Sequence, residues 1–359
     1  MIETRTPCLQ GSSTTQARHP FFARHIRLHV DRNPNVAPAK KIIVVTAATG
    51  SQGAPIVRYL LANHSAQYNV RAINRDTSKP AARALAELGA EVVAADYDNE
   101  SSLQAAFSGA HVIFANTNYW DSLSYETEVA QGVLIAKVAT AEANLETFIY
   151  SGNSDARKLY GGKFQGNLPY NAKAVTLEKV RSQYPDLARK MSIVILGFYH
   201  ENWLKYQTVF GPVKQPDGSF RMAMPYSDKN YGIPTVSLKD LGVVVAAIIE
   251  SGKKFHGKSI ALVSEIQTDA ERLDIWSKKT GVKAEFKQVT NSEYQARLEA
   301  AGFPRATAAS TTELTAMVGE GGNYLEAEGI LKARDIIDPD YHWITFKAYV
   351  EGEDWTSIL

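Results

Sequence analysis

Between Lys40 and Gly197, short β-branched runs alternate with stretches whose apolar residues recur at helical spacing. "KKIIVVT", from Lys40 to Thr46, reads as a strand buried on both faces. Gly50 and Gly53 turn the chain, and "APIVRYLLAN" follows as a helix with Ile56, Val57, Leu60 and Leu61 on one face. Pro55 lies in its first turn, where a missing N–H is harmless. The alternation then repeats: "YNVRAIN" is a strand, "KPAARALAELG" a helix closed by Gly89, and "AEVVAADY" a strand. "ESSLQAAFSG" is a helix capped by Asp98 or Asn99. "AHVIFAN" is the fourth strand, a long helix covers roughly Ser124 to Asn144, and "TFIYSG" is the fifth strand. "NAKAVTLEKVRSQ" is a helix and "MSIVILG" the sixth strand. Strict alternation of buried strands with helices predicts an α/β protein with a Rossmann-like, doubly wound parallel sheet. Ligands of such sheets sit at the carboxyl ends of the strands, which directs attention to the strand exits.

After residue 198 the alternation breaks, and Pro212, Pro216, Pro225 and Pro234 punctuate an irregular stretch. "VSLKDLGVVVAAIIES" restores a helix, with Ser237 and Asp240 in capping-box spacing that gives Asp240 a structural role. "KSIALVS" reads as a further strand of the sheet, and the remainder as helix and loop. The expected organisation is a disordered tail over 1–38, a dinucleotide-binding domain over 39–198, and a substrate-side subdomain over 199–359. Residues 236–264 return to the sheet domain. The tail is rich in Ser, Thr, Arg, His and Pro; its prolines and lack of an amphipathic stripe argue against a mitochondrial presequence.

Composition narrows the function classes. With 45% hydrophobic residues and a formal net charge of +1 over 359 residues, the chain has the makeup of a globular protein. Nothing marks it as binding nucleic acid directly or a membrane surface. No apolar run approaches the roughly 18 residues of a membrane span. A single cysteine, Cys8, excludes an internal disulfide framework and fits a reducing, cytoplasmic setting. His19, His25 and His29 share the tail with Cys8 without metal-ligand spacing, so no metal site is expected.

The turn after the first strand, Ala47, Ala48, Thr49, Gly50, Ser51, Gln52 and Gly53, has the spacing A-x-x-G-x-x-G between strand and helix. Glycines there allow a tight turn and close approach to a pyrophosphate, and the helix start offers unpaired N–H groups. Alanine at the first position requires negative φ. The second strand ends in "INRDTSK", placing Arg75, with Lys79 behind it, where a carboxylate would grip the 2′-hydroxyl of NAD. A guanidinium suits a 2′-phosphate and favours NADP, although Asp76 beside it leaves NAD open.

Hydride transfer also asks for a proton donor. No tyrosine is followed four residues later by lysine; Tyr170 and Lys173 are three apart and share a helical face. Lys173 is a candidate for the nicotinamide ribose. The sixth strand's exit, "GFYHENW", offers Tyr199, His200 and Glu201, and His200 has the one side chain there that titrates near neutrality unaided. Ser151 after the fifth strand could orient a carbonyl. Phe198, Tyr199, Trp203, Tyr206, Phe210, Phe220, Tyr226 and Tyr231 could line a pocket for an aromatic or polyketide-like substrate, or form subdomain core.

From about Lys41 to Asp240 the chain resembles the NmrA-like group of atypical short-chain dehydrogenases/reductases. The resemblance is carried by "AATGSQG", Arg75, "DYDNESSL", "TNYW" at Thr117–Trp120, "YSG" at Tyr150–Gly152, Lys173 and "GFYHENWL". It implies that the Ala47–Gly53 turn takes the pyrophosphate, Arg75 and Lys79 the 2′-phosphate, and Asp96 and Tyr97 the adenine side. Thr117, Asn118 and Tyr119 would line the nicotinamide half, with Lys173 on its ribose and Tyr199, His200, Glu201 and Asn202 closing over it. Ala47 departs from the usual glycine, and His200 from a more often apolar position. The family implies either an NADP-dependent reductase of a carbonyl or conjugated alkene, as in secondary metabolism, or a non-catalytic NADP(H)/NAD(H) sensor that regulates a partner protein. The polar exit at Tyr199–Glu201 and the aromatic content tilt the reading towards an enzyme, with Lys173, Tyr199, His200 and Tyr170 as candidate catalytic groups.

Overall fold

A computed structural model describes residues 39–227, 232–320, 325 and 329–359. The expectations for the tail, including Cys8, His19, His25 and His29, and for Tyr231 lie outside the described residues.

The first half is the expected alternation: β1 (Lys41–Val45), α1 (Gly53–His64), β2 (Tyr68–Asn74), α2 (Pro80–Glu87), β3 (Glu91–Ala94), α3 (Glu100–Phe107) and β4 (Val112–Ala115). After a single turn, α4 (Tyr119–Ser122), come α5 (Tyr125–Thr140), β5 (Thr147–Ser151), the short α6 (Ala156–Leu159), α7 (Leu168–Gln183) and β6 (Met191–Leu196). Of the two candidates, Asn99 caps α3, its side chain accepting from the Ser102 N–H.

Eight parallel strands form the sheet, in the order Ile330–Lys332, Ser259–Leu262, β6, β5, β4, β1, β2, β3. Successive β1 residues serve opposite faces. Ile43 and Val45 pack against α1 and the helix Leu241–Glu250, while Val44 joins Phe107, Ile135 and Leu177 of α3, α5 and α7. Each fully buried aliphatic side chain of this kind contributes about 1.5–3 kcal/mol. The strand order reverses between β1 and β4, so their exits flank a crevice.

Beyond β6 the structure departs from the expected helix and loop. Phe198–Tyr199 (β7) pairs in parallel with Ile233–Val236, which pairs in turn with Glu265–Gln267. Phe220–Met224 runs between Val213–Lys214 and Ala284–Gln288. These strands, and Ile330–Lys332 in the main sheet, are short or half exposed and so carry no continuous apolar run. A separate core of Trp203, Phe220, Trp276, Tyr294, Phe346 and Trp355 lies behind them. Trp203 and Phe220 are therefore core rather than pocket lining.

Asp240 has the structural role expected of it, but by another route than a capping box. The Ser237 side chain accepts from the Lys239 N–H. The Asp240 carboxylate instead accepts from Ser264 Oγ (3.0 Å), Tyr341 Oη (2.8 Å) and the Ile344 N–H (3.1 Å). Among the described residues no helix is long and apolar enough to cross a membrane.

Candidate functional site: a cleft at the strand exits

The turn between β1 and α1 is held from three sides. Ala48 N–H donates to the Ile73 carbonyl, Thr49 N–H to Asn74 Oδ1 at 3.0 Å, and Ala47 N–H to the Tyr97 hydroxyl. A Cβ on Gly53 would sit 2.3 Å from the Ala47 carbonyl oxygen, so only glycine permits this packing of helix on strand. Gln52 occupies the N-cap of α1 without a side-chain cap; in the first turn the Ala54 N–H donates to the Gly50 carbonyl and Pro55 has no N–H to satisfy. Ala47 corrects one expectation. Its φ is +46°, in the left-handed region, where alanine is tolerated only at a cost in strain.

Arg75 and Lys79 stand exposed after β2. The Arg75 guanidinium is 64% exposed and 3.8 Å from Asp121, a loose surface pair. Asp76, which left NAD open, turns back on itself: Oδ1 accepts from the Ser78 N–H and hydroxyl, and those bonds hold its carboxyl below the usual range. Asp96 is likewise engaged locally, its Oδ1 accepting from the Asp98 N–H. Tyr97 reaches the turn itself, and burial pushes its hydroxyl up to about 12.

The densest polar cluster lies at the exit of β4. Lys173 Nζ donates to Asn116 Oδ1 and the Thr117 carbonyl, both at 3.0 Å, and lies 3.3 Å from Glu128 Oε1. Thr117 Oγ1 donates to the same carboxylate oxygen at 2.8 Å. Glu128 is fully buried and the Lys173 side chain 13% exposed. The cluster exists because α5 and α7 touch closely: a Cβ on Gly132, one turn beyond Glu128, would meet Thr176 Cγ2 at 2.5 Å. Neither Glu128 nor Asn116 was foreseen. The available signal for Glu128 was a carboxylate in phase with the apolar stripe of Gly132, Ile135 and Ala139.

A cavity of about 340 Å³ joins the turn to the β4 cluster; Arg75, Lys79, Asp96 and Tyr97 do not line it. One end is formed by Ala47, Gly50, Ser51 and Gln52, the middle by Thr117, Asn118, Tyr119, Ser151 and Lys173. The far end is apolar, with Phe198, Phe210, Phe303, Leu314 and Val318. Tyr170, one turn before Lys173 on α7, lines it too, as do Tyr199 and Asn202. Tyr199 Oη accepts from Gln52 Nε2 at 2.8 Å, and burial pushes the phenol up to about 12.

The NmrA-like family model matches residues 39–350 of this chain. The chain belongs to the NmrA-like family. Among curated relatives of this NmrA-like chain, the oxidoreductase cpsB of Aspergillus campestris is 31% identical over 258 residues, covering 68% of this chain and 74% of the relative. The oxidoreductase notA of an Aspergillus species is 30% identical over 71% of this chain and 77% of its own length. Among solved structures, the negative transcriptional regulator NmrA in complex with NADP superposes with TM-score 0.70 at 22% identity, covering 87% of this chain and 95% of that one. Triphenylmethane reductase of Citrobacter sp. complexed with NADP(H) gives TM-score 0.67 at 21% identity, covering 86% and 99%. The structural likenesses establish the Rossmann-like fold of this NmrA-like protein.

At the sixth strand's exit of the NmrA-like chain, His200 and Glu201 lie away from the cavity. His200 is fully buried, does not line the cavity, and packs edge-on against Phe346 and tilted against Tyr349. Its Nε2 lies 3.1 Å from Thr235 Oγ1, and burial with Arg272 nearby pushes it down to about 3. It stays neutral near pH 7 and faces no ligand, which removes it as proton donor. Glu201 accepts from Ser237 Oγ and the Leu238 N–H, both at 2.9 Å, so it braces a loop instead of closing over the cavity. Of the aromatics beyond β6, Phe198, Tyr199, Tyr206 and Phe210 line the cavity, while Tyr226 donates to Asp269 within the subdomain. Phe303, Leu314 and Val318 come from a region whose sequence gave no hint of them. Among the described residues no three His, Cys, Asp or Glu side chains gather as a metal site.

Proposed function

We propose that this protein is an NADP-dependent oxidoreductase that reduces a carbonyl or conjugated alkene on a small, apolar, aromatic or polyketide-like substrate of the kind secondary metabolism handles. One observation carries the reading: a single cavity runs from an uncapped, glycine-lined helix start, past Lys173, into an apolar chamber. The residues fit a dinucleotide, since the glycine turn packs close on its strand, Gly50, Ser51 and Gln52 line the cavity, and the start of α1 has no side-chain cap. Arg75 and Lys79 would take the 2′-phosphate, the Ala47–Gly53 turn the diphosphate, and Thr117, Asn118 and Lys173 the nicotinamide side. When bound, NADPH supplies the hydride.

The chain's own residues do the rest. Lys173, fixed by Asn116, Thr117 and Glu128, orients the ribose. Tyr170, on the same face of α7, holds the proton for the substrate oxygen or carbon. Tyr199 is less suited, because its hydroxyl is engaged by Gln52 and pushed up to about 12. Phe198, Phe210 and Phe303 exclude water from the substrate end. The oxidoreductase names of cpsB and notA, and the reductase among the structural likenesses, support this reading.

The likeness to NmrA, described as a negative transcriptional regulator and seen with NAD as well as NADP, supports a second reading, a redox sensor acting on a partner protein. Calorimetric titration with NADPH and NADH, followed by NADPH consumption over a panel of quinones, enones and aromatic aldehydes, separates the two. We expect tighter NADPH binding, lost selectively in Arg75→Gln by about tenfold, and turnover with at least one enone or quinone. Nucleotide binding with no turnover, together with a partner retained by one redox form only, would establish the sensor.

A further inference from the structure

β7 and the segment after it touch the turn between β1 and α1 twice. Tyr199 accepts from Gln52, and Lys205 Nζ donates to Ser51 Oγ at 2.6 Å. Lys205 closes the single turn Asn202–Lys205, which runs into a second, Gln207–Phe210. Val209 and Phe210 from the same segment line the cavity with Phe198 and Phe303, and Tyr206 lines it beside Lys205. One short piece of chain thus has a cation on the turn and apolar side chains at the substrate end.

That cation stands at a helix start with no anion beside it among the described residues. The start of a 12-residue helix carries partial positive charge, and Gln52 leaves it uncapped. Arg75 and Lys173 each stand near a carboxylate, Asp121 and Glu128. Lys205 has the Ser51 hydroxyl and the ring of Tyr206, and enters no ion pair among the described residues. A second sign of a missing ligand lies beside it: Gln52, 7% exposed, lines the cavity with its Oε1 unpartnered. A cation next to a helix start adds its charge to the N–H groups that hold the diphosphate of a dinucleotide.

We propose that Lys205 binds the diphosphate of the dinucleotide, and that this contact ties nucleotide binding to the ordering of segment 202–210 at the substrate end. The inference rests on the dinucleotide reading above. It assigns Lys205 a part different from that of Arg75: the diphosphate is common to NADPH and NADH, the 2′-phosphate is not. Exchanging Ser51 for phosphate oxygens gives the ammonium a full counter-charge.

Titration of the full chain and of Lys205→Gln with NADPH and with NADH tests the assignment. Both affinities should weaken by a similar factor, about five- to twentyfold, and Lys205→Arg should restore most of the loss. Backbone amides of 202–210 should exchange more slowly when NADPH is added to the parent chain, and show no slowing in Lys205→Gln at equal occupancy. Lys205 is exposed, so the melting temperature without nucleotide should be unchanged, which controls for folding. Affinities within twofold of the parent chain, a loss confined to NADPH, or exchange indifferent to NADPH in the parent chain would overturn the proposal. A parent chain that binds neither nucleotide would sink the dinucleotide reading itself; a parent chain that binds while Lys205→Gln is unaffected sinks this inference alone.

Discussion

Two exits of the same sheet have similar sequences and opposite outcomes. After β4, Asn116 and Thr117 converge on Lys173 and Glu128 around a cavity. After β6, Tyr199–Glu201 is at least as polar, yet His200 and Glu201 turn away from ligand. The difference lies in what each exit meets next. β4 ends at the reversal of strand order and runs into the short helix α4, where Glu128 of α5 and Lys173 of α7 meet. β6 runs on into β7, whose pairing with Ile233–Val236 fixes the His200 N–H on the Val236 carbonyl. The imidazole is then covered by Phe346 and Tyr349, far along the chain. At one exit the later chain walls a cavity, with Phe303, Leu314 and Val318, and at the other it fills the space over the polar side chains.

The largest expected effect comes from breaking the β4 cluster. Lys173→Met leaves the Glu128 carboxylate buried without its cation and should cost roughly 3 kcal/mol in urea unfolding, along with at least a hundredfold loss of turnover, on the order of general acid–base and positioning terms. Glu128→Gln added to Lys173→Met should recover part of the stability and none of the turnover. If Lys173→Met unfolds like the parent chain, the cluster is not coupled as described.

The β6 exit should answer to pH rather than to substrate. In the unfolded chain His200 titrates near its ordinary 6.5, whereas the fold pushes it down to about 3. Between those values the unfolded chain holds a proton that the folded chain lacks, so stability falls as pH drops from 6.5 towards 3. His200→Gln removes that proton, so its stability should decline less steeply through the window, by up to about 1.4 kcal/mol per pH unit. Turnover near neutrality should stay within about threefold of the parent chain, far from the 10²–10⁴-fold typical of a lost general acid. A bell-shaped rate profile that loses one limb in His200→Gln would return the residue to the chemistry.

The smallest effect belongs to Ala47. At φ +46° an L-residue is strained by about 1 kcal/mol, and glycine relieves this against its own greater freedom when unfolded. Ala47→Gly should raise the melting temperature slightly and leave NADPH affinity equal or better. A lower melting temperature would show that the turn is not strained.

The legible parts of the sequence were those set by local rules. β1 to β6 are apolar runs bounded by turns, the glycine spacing implies a helix start against a strand, and Arg75 sits at a tip fixed by its own strand. Lys173 was legible by resemblance, but its partner Glu128 was not, because a carboxylate in a first helical turn reads as a solvated, dipole-compensating group. The apolar chamber was half legible: Phe198, Tyr206 and Phe210 lie near one another in sequence, whereas Phe303, Leu314 and Val318 arrive by long-range packing. His200 misled because titration near neutrality is a property of imidazole in water, and the fold removes the water.

The latch at Asp240 bears on how the chain is made. Its carboxylate is satisfied by Tyr341 and Ile344, and the strand Ser259–Leu262 gains its outer neighbour only with Ile330–Lys332. A ribosome that has delivered the chain through Leu262 has still produced a nascent sheet with an open border and an Asp240 carboxylate that lacks two of its donors. Maturation therefore waits on the closing stretch of translation, and nonsense mutations upstream of residue 330 are expected to yield fragments prone to edge-to-edge sticking rather than a smaller working protein.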